Sequence, residues 1–372
     1  MKSFVRLSLM IGLSIGVVQS STATAGAALT KAPNRKSPSP ETVLRAEKNN
    51  ENLRTLFLQP GSVSVFSASS SATSVRPFAD YEKTGYVFIN GDFQFSSRQA
   101  KEAIAANLPP DTTLVVFVED SNSSRAQAIR TSFSKWLGSD RLKIIELQDA
   151  SDGFWARDGL PVPVKDSTTG DLKLVDAQYY YSFEPDKEVG SLFGASVSSH
   201  RFNFEGGNFM ANDLGHCILV NNRSHSKIPD TIFETMYGCK RVQRLKHLSG
   251  IGHIDEHVRF ISQDTVLSDL PEYKTELEAA GLKVIMLPRP QSDLETYVNS
   301  LIVNGVAVVP TYGQSTDKAA LDIYSQAGFK AVSADSSSLS NDGEGSVHCI
   351  TMTYPPVPFA KMLKILGARE VL

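Results

Sequence analysis

An α/β fold is what this sequence predicts, on three observations. Short apolar runs of strand length recur along the chain and alternate with stretches of helical periodicity. Some strand pairs are separated by a turn alone, as at Asn304-Gly305, a dipeptide suited to a hairpin, so a purely parallel doubly wound sheet is not the best fit. No linker divides the chain beyond its N-terminal region, which leaves one domain larger than the usual ~100–200 residues. A ring of small repeated units would explain that size, although no repeat is visible in the sequence itself.

Element by element, Pro40-Glu41 opens a helix that runs towards Phe57. Tyr86 to Asn90 and Leu114 to Val118 are apolar runs and read as buried strands. Between them Ser97 to Asn107 is helical, with Ala100, Ile104 and Leu108 on one side. Ser123 to Leu137 is a second helix, with Ile129, Phe133 and Leu137 as its apolar face. Strands are expected at Leu172 to Tyr181, Cys217 to Val220, Val258 to Ser262, Val284 to Leu287, Ala307 to Pro310 and Val347 to Thr353. Helices are expected at Tyr273 to Ala280 and Lys318 to Ala327. The Ser-rich stretch Ser333 to Asn341 has two readings, a mobile flap over a site and a loop with no role.

The 372 residues are 41% hydrophobic and 21% charged with a formal net charge of -3, which suits a globular protein with a substantial core. No basic run extends beyond a short N-terminal stretch, so nucleic acid is excluded as the expected partner and a small molecule or exposed peptide is favoured. Lys2 and Arg6 precede the apolar stretch Leu7 to Val18, and Ala23-Thr24-Ala25 follows. That is the pattern of a secretory signal peptide over residues 1–25. Its ~12 apolar residues are too few to span a bilayer, which takes ~20. Residues 26–45 read as a flexible leader and 46–372 as one catalytic domain, secreted or periplasmic and without a membrane contact once mature.

Three cysteines are present, Cys217, Cys239 and Cys349, and in an oxidising compartment an odd count leaves at least one thiol unpaired. Cys217 and Cys239 are near enough in sequence to pair, which would leave Cys349 free. A buried inert thiol is the commoner fate of a lone cysteine.

Four short segments gather polar residues in apolar or glycine-rich surroundings: Phe154 to Gly159, Phe204 to Asn208, Gly250 to His257, and Gly343 to Cys349. Singly each has an ordinary structural explanation, such as an ion pair, a turn cap or a satisfied core histidine. Jointly they supply what attack on a guanidinium needs. That group is planar and always protonated, so its N–H fork calls for carboxylates, and Asp158 and Asp255 are two. Its carbon is a poor electrophile, which suits the thiolate of Cys349 as nucleophile. Expelling ammonia needs a proton donor and activating water needs a base, and His253 can serve as both. In a strand His253 and Asp255 would share a face. Glu205 would then orient and charge-stabilise the histidine. Trp155 is a candidate to stack on the alkyl chain or to belong to the core.

The order Trp-x-Arg-Asp, Glu-Gly-Gly, Gly-His-x-Asp and Gly-x-x-His-Cys resembles the pentein superfamily of guanidino-modifying enzymes. More narrowly it is similar to the family joining agmatine deiminases and Porphyromonas-type peptidylarginine deiminases. Tyr297 to Ile302 and Val308-Val309-Pro310 fit the same family, so the resemblance covers about Tyr86 to Thr353. It implies a five-bladed α/β propeller of repeated ββαβ units with the site at its centre, no cofactor or metal, and a covalent thiouronium on Cys349. It further implies His253 as acid/base, Asp158 and Asp255 as guanidinium ligands, Glu205 as support and Asn299 as a residue that shapes the pocket. Two departures touch the substrate. Gly159-Leu160-Pro161 follows Asp158 where agmatine deiminases read x-Gly-Pro, and Glu344 interrupts the glycine-rich approach to the cysteine.

An exported enzyme meets peptides and proteins, so peptidyl-arginine, giving peptidyl-citrulline, is the favoured substrate and agmatine the alternative. Other readings are an amidinotransferase, a Cys-His protease, a catalytically silent binding protein, and a zinc protease through the H-x-x-E-H spacing of His253 to His257. The zinc reading needs a helix there, which Gly250, Gly252 and the strand-forming Val258 to Ile261 oppose.

Overall fold

The computed structural model describes residues 38–58 and 75–357, together with the backbone of 370–371. The expected signal peptide, and the leader up to residue 37, lie outside the described residues. The helix Pro40–Phe57 spans residue 45 and docks onto the strand Ser196–Asn203. Asn49 donates to the carbonyl of Arg201 at 3.0 Å and Asn50 to that of Asn203 at 2.9 Å.

Five small sheets follow along the described chain, and one pattern recurs in them: a strand, an antiparallel partner, a helical segment, then a parallel strand. Val162–Asp166 pairs with Leu172–Gln178, and the helix Asp186–Phe193 leads to Ser196–Asn203; Val75–Pro77 adds to the other side. Met210–Ala211, His216–Asn221 and Arg241–Lys246 form the next sheet. Val258–Phe260 and Thr265–Ser268 continue through the helix Pro271–Ala279 to Lys283–Met286. Leu301–Val303 and Val306–Thr311 continue through Asp317–Gln326 to Lys330–Asp335. The turn between the first two of these is Asn304-Gly305, both left-handed at φ 44° and 86°, as the hairpin dipeptide predicts. The fifth sheet draws on distant parts of the chain. Thr351–Tyr354 pairs antiparallel with Tyr86–Asn90, which runs through the helix Arg98–Asn107 into Thr113–Val118, Leu142–Glu146 and finally Glu370–Val371.

Hydrophobic clusters join the sheets in pairs. Phe88 and Met352 pack with Leu174, Val164 with Leu219, Val220 with Phe260, and Leu267 with Val309. Ile89 and Val116 pack with Leu301 and Val308, which ties the fourth sheet back to the fifth. The expected faces hold: Ala100 and Ile104, then Ile129 and Phe133, are fully buried in this last cluster.

Three expectations need correction. Val347 to Ile350 is not strand, because the ladder begins at Thr351 and the preceding residues turn. Ser333 to Asn341 is not a loop or flap: its start belongs to Lys330–Asp335 and its remainder to the helix Ser337–Gly343, which buries Leu339 and Ser340. His253 to Asp255 is not a strand, because a tight turn begins at Ile254, as described below. Cys217 and Cys239 form a disulfide and Cys349 is free. No described helix is long and apolar enough to cross a membrane.

Candidate active site

Each motif ends in the turn that enters the first strand of a different sheet. Asp158 lies in the short helix Ala156–Gly159 ahead of Val162, and Glu205 precedes the turn Gly206–Asn208 ahead of Met210. His253 and Asp255 precede Val258, Asn299 precedes Leu301, and Cys349 precedes Thr351. Those first strands are almost wholly buried, so the turns feeding them are anchored and meet at one place. The result is a narrow pocket of about 20 Å³ whose walls include Trp155, Asp158, Glu205, His253, Glu344 and Cys349.

His253 adopts extended backbone and caps a single tight turn, Ile254–Glu256. Glu256 closes that turn by accepting from the backbone N–H of Ile251 at 3.1 Å and of His253 at 3.4 Å. The turn, rather than a strand, brings His253 and Asp255 together. Nε2 of His253 meets Oε2 of Glu205 at 2.9 Å, while Nδ1 has no hydrogen-bond partner and lies 3.9 Å from Oδ1 of Asp158. Burial disfavours a charged ring, but Glu205, Asp158 and Asp255 outweigh it and raise the pKa to about 10. His253 is therefore an imidazolium at neutral pH, with one N–H held and one unused. Burial, with Glu205 and Asp255 adding and His253 opposing, pushes Asp158 up to about 7.

Cys349 is 3% exposed. Asn299 donates to its Sγ at 3.2 Å and accepts through Oδ1 from the backbone N–H of His348 at 3.0 Å and of Cys349 at 3.3 Å. Expected to shape the pocket, Asn299 lies behind the wall and grips the cysteine turn from below. Burial raises the thiol pKa well above its ordinary value, and Asp255 and Asp158 add to the effect. The resting group is a thiol. Sγ is 3.7 Å from Oδ2 of Asp255. Asp255 is fully buried, with Oδ1 unpartnered; burial opposes its charge, yet His348, His253 and Arg259 hold its pKa low.

Sequence reasoning missed the layer behind Asp255. His348 places Nδ1 2.7 Å from Asp255 and Nε2 3.0 Å from Asp80. Asp80 also accepts from Arg259 at 2.8 Å and pairs with Arg157 at 3.6 Å. Burial and both arginines press the His348 pKa down, so with one ring proton it donates to one carboxylate at a time. Arg157, the neighbour of Asp158, is thus committed elsewhere. Asp80 stands in the unremarkable run Phe78-Ala79-Asp80, where nothing local signals its role.

Glycines set the shape of the cradle. A Cβ on Gly207 would sit 2.8 Å from Nδ1 of His253, 2.9 Å from Oδ1 of Asp158 and 3.2 Å from Oδ2 of Asp255. Those three polar atoms therefore converge on Gly207 so closely that not even a methyl group fits between them. The backbone N–H of Gly207 donates to Asp158 at 2.9 Å and fixes it there. Trp155 packs flat on Phe95, 5.9 Å between centroids, and is 7% exposed; it serves the core and the pocket wall together.

The H-x-x-E-H spacing does not form a zinc helix. His257 turns to Asp269 at 2.9 Å while His253 turns to Glu205. Among the described residues the group spaced to hold a metal ion is Asp176, Glu184 and Asp186, none of which lines this pocket.

The fold is that of the pentein-type deiminases. An agmatine deiminase of C. jejuni superposes with a TM-score of 0.63 at 18% identity, over 76% of this chain and 97% of that one. A Porphyromonas gingivalis protein provisionally named an arginine deiminase gives 0.62 at 20%, over 76% and 98%. The agmatine deiminase of Enterococcus faecalis gives 0.60 at 17%, over 76% and 96%. No curated protein matches the chain in sequence. Residues 92–355 match the model of the Porphyromonas-type peptidyl-arginine deiminases, and the chain belongs to that family. It is accordingly a hydrolase of C–N bonds in amidines, acting on guanidino compounds.

Proposed function

We propose that the protein is an exported deiminase that converts the guanidinium of peptidyl-arginine to a ureido group, through a covalent bond to Cys349. The observation that carries the chemistry is the juxtaposition of an imidazolium with a free Nδ1, two carboxylates and a thiol at one place, with Nδ1 3.9 Å from Asp158 and Sγ 3.7 Å from Asp255. Asp158 and Asp255 hold the guanidinium, whose positive charge lowers the Cys349 pKa, and the thiol proton leaves to solvent on binding. The thiolate bonds to the guanidinium carbon, and His253 gives its Nδ1 proton to the terminal nitrogen as that C–N bond breaks and ammonia departs. Neutral His253 then takes a proton from water, the oxygen bonds to carbon, the C–S bond breaks to return the thiolate, and the remaining hydroxyl proton leaves to solvent to give the neutral ureido group. Asn299, donating to Sγ, stabilises that thiolate. The sheet-to-sheet clusters, which lead from the fifth sheet through each of the others and back, support a five-bladed propeller around this site. The Cys217–Cys239 disulfide supports export.

The test is ureido formation by purified protein, in EDTA, from an arginine-containing peptide, free arginine and agmatine. Turnover of the peptide supports the whole reading, and activity in EDTA supports a reaction without metal. Turnover of agmatine alone keeps the chemistry and replaces the substrate, an outcome favoured by the acidic pocket walls. Cys349→Ala should lower turnover by at least about a thousandfold with the melting temperature kept; near-normal activity would remove Cys349 from the chemistry.

A further inference from the structure

Glu344 occupies a backbone position that glycine ordinarily fills. It caps the helix Ser337–Gly343 in the left-handed conformation, at φ +64°. Its neighbours have no room for a side chain. A Cβ on Gly343 would lie 2.9 Å from Phe95, and one on Gly345 2.5 Å from Trp155. Residue 344 is thus the place on this approach to Cys349 from which a side chain can reach the pocket, and it carries a carboxylate despite the backbone strain. That carboxylate is partly exposed and has no hydrogen bond or ion pair with another described residue.

The charges around it point the same way. Asp158, Glu205 and Glu344 line the pocket, whereas no lysine or arginine does so among the described residues. Arg157, close by in sequence, is paired with Asp80. A guanidinium satisfies Asp158 and Asp255, and beyond His253, which the reaction itself uses, no cationic side chain among the described residues lines these walls to answer a substrate carboxylate.

We infer that Glu344 is a specificity-determining residue, selecting guanidino substrates that carry an amine beyond the alkyl chain and turning away those that end in a carboxylate. The inference rests on the deiminase reading and narrows it. Two sources offer that amine: agmatine, and the α-amine of an N-terminal arginine.

Wild type, Glu344→Gln and Glu344→Gly are compared on agmatine, arginyl-glycine amide, neutral Nα-acetylarginine amide and anionic Nα-acetylarginine. In Glu344→Gln, kcat/KM for an amine-bearing substrate should fall about three- to tenfold relative to the neutral amide, as expected for one partly exposed charge pair. The anionic substrate should gain on the neutral one. Glu344→Gly should repeat both changes while its melting temperature rises, since the left-handed position then costs nothing, and this separates charge from misfolding. A fall confined to agmatine assigns the amine to a small substrate, and one confined to arginyl-glycine amide assigns it to an N-terminal arginine; each sustains the inference. Equal ratios in all three proteins overturn the role of Glu344 and leave the deiminase reading intact. No ureido product from wild type with any of the four substrates takes down that reading and this inference with it.

Discussion

Two titrating residues face each other across the cradle, and their opposed needs set the pH range of the reaction. In the proposed mechanism Asp158 must be ionised to hold a guanidinium, and burial has pushed it up to about 7. His253 must be protonated to release ammonia, and its carboxylate neighbours have raised it to about 10. The specificity constant should therefore fall on the acid side near 7 and on the alkaline side near 10. Glu205→Gln removes a charge that favours the imidazolium, so the alkaline limb should move down by about one unit or more, read from a kcat/KM profile. A limb that stays in place would mean that His253 is not the titrating acid. The same shift bears on stability: a histidine raised from 6.5 contributes fully below 6.5, and the contribution is lost as pH rises through about 10. Asp158, Glu205, His253 and Asp255 were legible because they stand out against glycines. Asp80 was not, since its partners Arg259 and His348 lie 179 and 268 residues away and no local pattern records such distances.

The turns and strands divide into readable and unreadable parts for a physical reason. Middle strands such as His216–Asn221 and Val306–Thr311 are largely buried and their apolar runs announce them, whereas first strands such as Leu301–Val303, though buried throughout, are too short to be read as strands. Last strands lie at sheet edges, carry Arg241, Arg244, Lys283 or Lys330, and are half-exposed, so Arg241–Lys246 and Lys330–Asp335 have no hydrophobic signature. The repeat stayed hidden for the same cause, because only half of each unit is apolar. The turn Gly206–Asn208 gives the sharpest test at this scale. Gly207→Ala would press on side-chain tips that can swing away, so folding is spared while the cradle is spoiled. Activity should drop about a hundredfold with little change in melting temperature, since small misplacements of reacting groups cost that much. A second test lies at the start of the helix Asp186–Phe193. Burial, with Asp176 and Glu184 adding, raises Asp186 to about 9, so its contribution to stability is present at low pH and shrinks as pH climbs from about 4 towards 9. Asp186→Asn should melt about 2–4 °C above wild type at pH 8 and gain less at pH 5, by calorimetry.

At the scale of the whole molecule, catalysis depends on how distant parts of the chain are joined. Thr351–Tyr354 completes the sheet begun by Tyr86–Asn90, and Cys349 rides on the turn immediately before it. The N–H of Arg157 reaches back to the carbonyl of Cys349 at 3.0 Å, so a second sheet helps to set the cysteine. The disulfide lies elsewhere, in the sheet of His216–Asn221, between cysteines 22 positions apart. Stability and catalysis should therefore separate. Replacing Cys217 and Cys239 together by alanine should cost about 3 kcal/mol, the loop-closure value for a link of this span, while leaving kcat within about twofold at 25 °C. Met352→Asp, by contrast, buries a charge behind the cysteine turn and should lower stability and kcat together. Denaturant melts read beside turnover decide the matter. If the alanine pair lost activity while still folded, the disulfide would belong to the site, and the division of labour between the sheets would be wrong.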